Sequence, residues 1–160
     1  MKSRFITWTR PNIVHAVPTE YGWTVYHPDG FRMGDYTDIG VDVRIFAKYG
    51  VVIEDNVQIG AGTKIYSEDT IGGKKGPVII KKGACIGANS VILPNVTIGE
   101  GAIVGALCKV TQDVPAGVTV HGWQEAVSIG VAQAVVARMI DAAEMAGLFN
   151  KVKGDGVKPN

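Results

Sequence analysis

The sequence predicts an all-β solenoid, and three observations predict it. Glycine makes up 21 of the 160 residues, about twice the ~7% usual in proteins. The aliphatic side chains are 16 Ile and 22 Val against only 3 Leu (Leu93, Leu107 and Leu148). Branching at Cβ stiffens χ1 and suits extended backbone. Ile or Val then recurs at every sixth position: Ile80, Ile86, Ile92, Ile98, Val104 and Val110. An earlier run, Ile53, Ile59, Ile65 and Ile71, has the same spacing, and Ile39 and Ile45 open the series. Period six fits neither a helix of ~3.6 residues per turn nor a simple hairpin ladder. It fits a coil with three flat sides, about 18 residues per turn, stacked into a prism.

Residues 1–33 precede the hexads and are rich in aromatics: Phe5, Trp8, Tyr21, Trp23, Tyr26 and Phe31. They are expected to cap the open first coil, since terminal repeats need covering. The alternation in Gly22-Trp23-Thr24-Val25-Tyr26 reads as a strand.

Residues 34–120 are expected to form the solenoid. Glycine follows the aliphatic at Gly40, Gly60, Gly72, Gly87, Gly99 and Gly105, and a small or β-branched residue comes four places after it, as at Val43, Thr63, Ala84, Ser90 and Cys108. The aliphatic then points inward, the small residue fills the narrow corner and glycine permits the turn. The register slips by two residues between Ile45 and Ile53 and by three between Ile71 and Ile80. Allowing for both slips, three ladders are expected: Ile39, Ile59, Ile80, Ile98; Ile45, Ile65, Ile86, Val104; and Ile53, Ile71, Ile92, Val110.

Residues 121–150 are expected to carry a C-terminal helix, over 124–146. Ile129, Ala132, Val136, Met139, Ile140 and Ala143 fall on one stripe, opposite Gln133, Arg138, Asp141 and Glu144. Gly147 supplies a stop. The tail, 151–160, reads as mobile.

Charge and composition narrow the function. A formal net charge of +1 gives no general attraction to nucleic acid or anionic membrane. No apolar run approaches the ~20 residues that span a bilayer. The first residues carry Lys2, Arg4 and Arg10 without an apolar core, so no signal peptide and a cytoplasmic location are expected. Two cysteines, Cys85 and Cys108, make neither a disulfide framework nor a metal motif. His15, His27 and His121 are dispersed, so no metal site is expected.

The hexads Ile86-Gly87-Ala88-Asn89-Ser90-Val91-Ile92 and Thr97-Ile98-Gly99-Glu100-Gly101-Ala102-Ile103-Val104-Gly105-Ala106 look like those of the hexapeptide-repeat acyltransferases. More narrowly, Ser67, Thr70-Ile71, Lys74-Lys75-Gly76, Val78, Lys81 and Gln112-Asp113-Val114-Pro115 resemble the sugar-nucleotide amine N-acetyltransferases. The resemblance implies a left-handed parallel β-helix, against the usual right-handed crossover rule, and a homotrimer. It further implies acetyl-CoA as co-substrate, and an amino sugar or sugar nucleotide as acceptor. That family usually closes its coil with a Gly-x-Pro-Ala segment, where this chain has His121-Gly122-Trp123-Gln124-Glu125-Ala126.

Chemistry belongs where the hexads fail, and the largest interruption is residues 67–77. Acetyl transfer to an amine needs a positioned nucleophile, a proton acceptor and donors facing the oxyanion. The histidine that serves most relatives as base is absent here, which leaves Asp69, Glu68 and the hydroxyl of Ser67 as catalytic candidates. Lys74 and Lys75 are candidates for binding the substrate. For acyl-CoA the resemblance points to the last coils. Gly87, Ala88, Gly105 and Ala106 would admit the pantetheine arm, and Lys109 and Thr111 would meet phosphates. The alternatives are a non-catalytic trimeric scaffold or binding module, and an O-acetyltransferase of the same fold. A metal-dependent enzyme on this fold is disfavoured by the histidine positions.

Overall fold

The computed structural model describes residues 7–122. Within them the chain winds through five coils, which build three parallel sheets of five, four and five strands. The first coil comprises β1 (Thr24–Tyr26), β2 (Phe31–Met33) and β3 (Asp38–Ile39). The second comprises β4 (Arg44–Phe46), β5 (Val51–Ile53) and β6 (Gln58–Ile59). In the third, β7 (Lys64–Tyr66) is followed by a hairpin of β8 (Glu68–Asp69) and β9 (Lys74–Lys75), then β10 (Val78–Ile80) and β11 (Cys85–Ile86). The fourth comprises β12 (Val91–Ile92), β13 (Thr97–Ile98) and β14 (Ile103–Val104). The fifth has β15 (Lys109–Val110), a single bridge from Val114 to Ile98, and β16 (Thr119–Val120).

The first sheet runs β1-β4-β7-β12-β15, the second β2-β5-β10-β13 and the third β3-β6-β11-β14-β16. This is the left-handed parallel β-helix expected. Among the described residues no helix is long and apolar enough to cross a membrane.

The inward ladders are Val25-Ile45-Ile65-Ile92-Val110, Ile53-Ile80-Ile98 and Ile39-Ile59-Ile86-Val104, all buried. Each such side chain is worth ~1.5–3 kcal/mol when buried. These ladders correct the expected ones. Ile80 stacks on Ile53 rather than Ile59, and Ile86 on Ile59 rather than Ile65. Ile71 belongs to no ladder and is 99% exposed. The physical reason is the hairpin. It lifts the residues after Ser67 out of the prism, so Ile71 keeps the six-residue spacing from Ile65 by sequence alone.

The two-residue slip is a property of one corner. Val25, Ile45 and Ile65 share one ladder at an interval of 20, whereas Ile92 and Val110 lie 18 apart. The extra residues sit between the first and second sheets, at Pro28–Gly30 in the first coil and around Lys48-Tyr49 in the second. Two strands of the segment expected as a cap, β1 and β2, pair in parallel with β4 and β5. The solenoid sheets therefore begin at Thr24. Val25 and Phe31 are buried against the second coil, and the widened corner puts Met33, the register partner of Ile53, eight residues after Val25 rather than six. Trp23 is buried beside Phe31, with ring centroids 6.3 Å apart. The helix expected over residues 124–146 and the tail 151–160 lie outside the described residues.

Two aspartate substitutions test the register. Ile92→Asp buries a charge in a ladder and should abolish folding by circular dichroism. Ile71→Asp should leave stability within ~0.5 kcal/mol, as for surface positions generally. Equal loss in both variants would contradict the ladder assignment.

Candidate active site

The hairpin is built by residues whose polar atoms have set tasks. Ser67 is buried at the corner that follows β7. Its hydroxyl donates to the Phe46 carbonyl at 2.7 Å and accepts the Tyr49 N–H at 2.9 Å. The Gly76 N–H returns to the Ser67 carbonyl at 3.0 Å and closes the hairpin base. From the next coil, Asn95 donates its side-chain N–H to the Lys75 carbonyl at 2.8 Å. A Cβ at Gly76 would collide with that Asn95 side chain, and Gly76 has φ of 151°, so the position favours glycine. At the tip, Asp69 Oδ1 accepts the N–H groups of Ile71 and Gly72 at 3.1 and 3.0 Å. The tip is thus held by a carboxylate, and Ile71 is turned outward.

Charge gathers at the base of the hairpin. Glu68 pairs with Lys48 at 3.2 Å and with Lys75 at 3.5 Å. Lys48 and Lys75 each lie 5.3 Å from the centre of the Tyr49 ring. The Lys48 hydrogen bond holds the Glu68 carboxyl below its ordinary range, and Glu68 in turn raises Lys48. Lys75 is raised chiefly by the Tyr49 hydroxyl and then by Glu68. Lys74 and Lys75 are exposed.

The structure therefore brings five expected residues together: Ser67, Glu68, Asp69, Lys74 and Lys75. It adds Lys48, Tyr49 and Asn95, which the sequence reading missed. The signal for the first two was present in the slip between Ile45 and Ile53, which widens this same corner.

The residues expected to hold the coenzyme lie elsewhere. Gly87, Ala88, Gly105 and Ala106 occupy the corner between the third and first sheets. Glycine is needed there for the coils to stack: a Cβ at Gly60 or Gly87 would collide with the backbone N of Ala88 or Ala106, and one at Gly105 with His121. Thr63 and Ser90 hydroxyls donate across the coils to the Gly87 and Gly105 carbonyls at 3.1 and 3.0 Å. A shallow groove of about 420 Å³ runs over the outside of the third sheet, lined by Gln58, Gly60, Cys85, Gly87 and Ile103 among others. Lys109 lies in β15 on the first sheet, and Thr111 follows it. Hairpin and glycine corner are thus on opposite edges of the first sheet.

Of the histidines, His27 falls in the segment expected as a cap. It stands at the first coil's corner between the first and second sheets, with φ of 61°. Its N–H donates to His15 Nδ1 at 3.0 Å. Among the described residues no three His, Cys, Asp or Glu side chains group as a metal site would require.

Comparison with known proteins adds to this geometry. Residues 33–67 match a family described as the hexapeptide repeat of succinyl-transferase. Residues 77–112 match the bacterial transferase hexapeptide (six repeats). The gap between the two matches is the hairpin. The bifunctional protein GlmU of Thermotoga petrophila is 52% identical over 60 residues, 38% of this chain and 13% of that protein. The 2,3,4,5-tetrahydropyridine-2,6-dicarboxylate N-acetyltransferase of Staphylococcus aureus JH9 is 49% identical over 67 residues, 42% of this chain and 28% of that enzyme. The chain thus spans under a third of the length of either relative. Among solved structures, the hexapeptide-repeat acetyltransferase VCA0836 of Vibrio cholerae O1 biovar eltor, complexed with acetyl coenzyme A, superposes with a TM-score of 0.59. It is 30% identical, over 62% of this chain and 60% of that one.

The ion cluster sets a pH dependence. A carboxyl lowered by folding contributes stability above its unfolded pKa, and that stability is lost as pH falls through the folded value. Raised lysines contribute below their unfolded pKa and lose it as pH rises through the folded one. Carboxyl NMR titration of Glu68 should therefore show a lower midpoint in the wild type than in Lys48→Met. Glu68→Gln should speed tryptic cleavage after Lys74 and Lys75 several-fold, with little change in Tm. Coincident midpoints, or unchanged cleavage, would contradict the pairing.

Proposed function

From the hexapeptide repeats matched over residues 33–67 and 77–112, we propose that this chain is a hexapeptide-repeat, acyl-CoA-dependent acyltransferase moving acetyl from acetyl-CoA to an amine. The carrying observation is that both family matches cover the coils and stop at the hairpin, which holds a charged cluster on an otherwise regular prism. Support for the coenzyme comes from the similar V. cholerae acetyltransferase, complexed with acetyl-CoA. Support for N-acetylation comes from the S. aureus relative, named as an N-acetyltransferase. The narrower acceptor, an amino sugar or sugar nucleotide, rests on the motif resemblance around Ser67, Thr70-Ile71 and Lys74-Lys75-Gly76.

In this reading the amine nitrogen attacks the thioester carbonyl, the C–N bond forms and the C–S bond breaks. The thiolate leaves, and the proton that the amine gives up is taken by a carboxylate and passed on to it. Positioning supplies much of the rate in such reactions. Asp69 is the proposed proton acceptor: its Oδ1 holds the tip, and Oδ2 is the oxygen offered to the amine. Glu68, between two lysines, is a counter-ion that fixes them rather than a carrier of protons. Ser67, with its hydroxyl engaged on both sides, is a positioning residue. Lys74 and Lys75 offer cations to an anionic acceptor. Gly87, Ala88, Gly105 and Ala106 line the path proposed for the pantetheine arm, with Lys109 and Thr111 at its phosphates.

Because hairpin and glycine corner are separated within one chain, a homotrimer would complete the site between neighbours. A cytoplasmic location goes with a supply of acetyl-CoA.

Two measurements test this. Acetyl-CoA at about 100 Kd should raise stability by ~2.7 kcal/mol. No shift at millimolar coenzyme would favour the scaffold alternative. Asp69→Asn keeps an oxygen for the Ile71 and Gly72 amides but removes the charge. It should lower kcat/KM for the best amino-sugar acceptor by ~10²-fold or more, the usual scale for a general base, with Tm unchanged. Full turnover would overturn the role of Asp69, and a hydroxyl acceptor outrunning every amine would favour O-acetylation.

A further inference from the structure

We propose that the outer face of the first sheet binds the diphosphate of a nucleotide, through a column of cations formed by Arg44 and Lys64. The register places Arg44 opposite Lys64, Lys64 opposite Val91 and Val91 opposite Lys109. Their strand neighbours Ile45, Ile65, Ile92 and Val110 are buried in the prism, so these positions lie on the outer face. Adjacent rungs stand ~4.8 Å apart, so Arg44 and Lys64 offer two cations at about the span of two linked phosphates. The Lys64 ammonium also donates to the Gly62 carbonyl at 2.9 Å, which steadies it.

Like charges directly opposite each other on a sheet are destabilising. Elsewhere in this solenoid a cation meets a carboxylate from a neighbouring coil: Lys48 meets Glu68 at 3.2 Å and Lys81 meets Glu54 at 2.9 Å. Among the described residues no carboxylate occupies either outward column of the first sheet. The second outward column is aromatic, with Tyr26 stacked on Phe46 at 4.5 Å and Phe46 on Tyr66 at 4.8 Å. Both faces of Phe46 are covered by these contacts, so the column is a wall beside the cations, not a platform for a base. The chemistry on offer is therefore anion recognition, with the planar fork of Arg44 suited to two phosphate oxygens at once.

The placement also sets direction. From Lys64 at the start of β7, round the Ser67 corner to Glu68, the span is at most ~13 Å at ~3.3 Å per residue. A diphosphate on the column thus leaves one attached sugar's reach to the hairpin. That last step rests on the acyltransferase reading above, whereas the diphosphate site does not. Two ligands carry this group, a nucleotide-linked acceptor and coenzyme A, whose expected phosphate contact Lys109 stands in the same column.

Titration calorimetry of the full chain with pyrophosphate, uridine diphosphate and coenzyme A separates the cases. Arg44→Ala should weaken pyrophosphate binding at least 10-fold, and Arg44→Ala with Lys64→Ala about 100-fold. Both variants should melt no lower than the wild type, since a like-charge contact is removed. Weaker binding should extend to uridine diphosphate if the face holds an acceptor, and to coenzyme A if it holds the coenzyme; either supports the site. Unchanged affinity for all three probes would overturn it. A wild type that ignores acetyl-CoA would sink the acyltransferase reading alone, because pyrophosphate still reports on the column.

Discussion

Everything in this molecule depends on the inward stacking of one aliphatic side chain per side, coil upon coil. A three-sided prism has no second layer to bury its faces, so each Ile or Val is covered only by its counterparts in the adjoining coils and across the narrow core. That requirement fixes the rung spacing and forbids insertions within the strands. Variation is confined to the corners. Where the third sheet turns into the first, the close approach of Gly60 and Gly87 to Ala88 and Ala106 leaves no space for a side chain. That corner is rigid by construction. The corner between the first and second sheets is wider and tolerates extra residues, first two and then a whole hairpin.

The hairpin is thus a consequence of where the prism can afford irregularity. Its base is fastened by the core itself. Ser67 replaces an aliphatic at a buried corner and spends its hydroxyl on the preceding coil, while Asn95 reaches from the following coil. A rigid scaffold on both sides, with a charged loop between, is how catalytic groups are commonly held. The same logic explains why the glycine corner, although expected to meet a coenzyme, has a complete structural explanation of its own.

Much of the fold was legible because a period of six admits few architectures, and every expected ladder residue except Ile71 is buried. Their stacking partners were not. Ile71 satisfied the spacing from Ile65, and nothing in the pattern distinguishes an inward isoleucine from one on a hairpin tip. Gly72-Gly73 and the paired lysines marked an interruption, but its length in three dimensions depends on pairing between Glu68–Asp69 and Lys74–Lys75. The first coil was hidden because Pro28–Gly30 widens its corner and sets Val25 and Met33 eight residues apart. At the site, Asp69, Glu68 and the lysines were read from the broken pattern. Lys48 and Tyr49 reach them from another coil, and cross-coil neighbours follow from register alone. The position of His27, at a coil corner, required the strands around it.

The central claim is that acetyl transfer takes place beside this hairpin. The most direct measurement is a crystal structure of the chain with coenzyme A and its best amine acceptor. The acceptor nitrogen should lie within hydrogen-bonding distance, ~3 Å, of Asp69 Oδ2, with the coenzyme sulfur directed at it along the first sheet or from a neighbouring copy. Coenzyme and acceptor bound together at a place remote from residues 67–77 would contradict the claim.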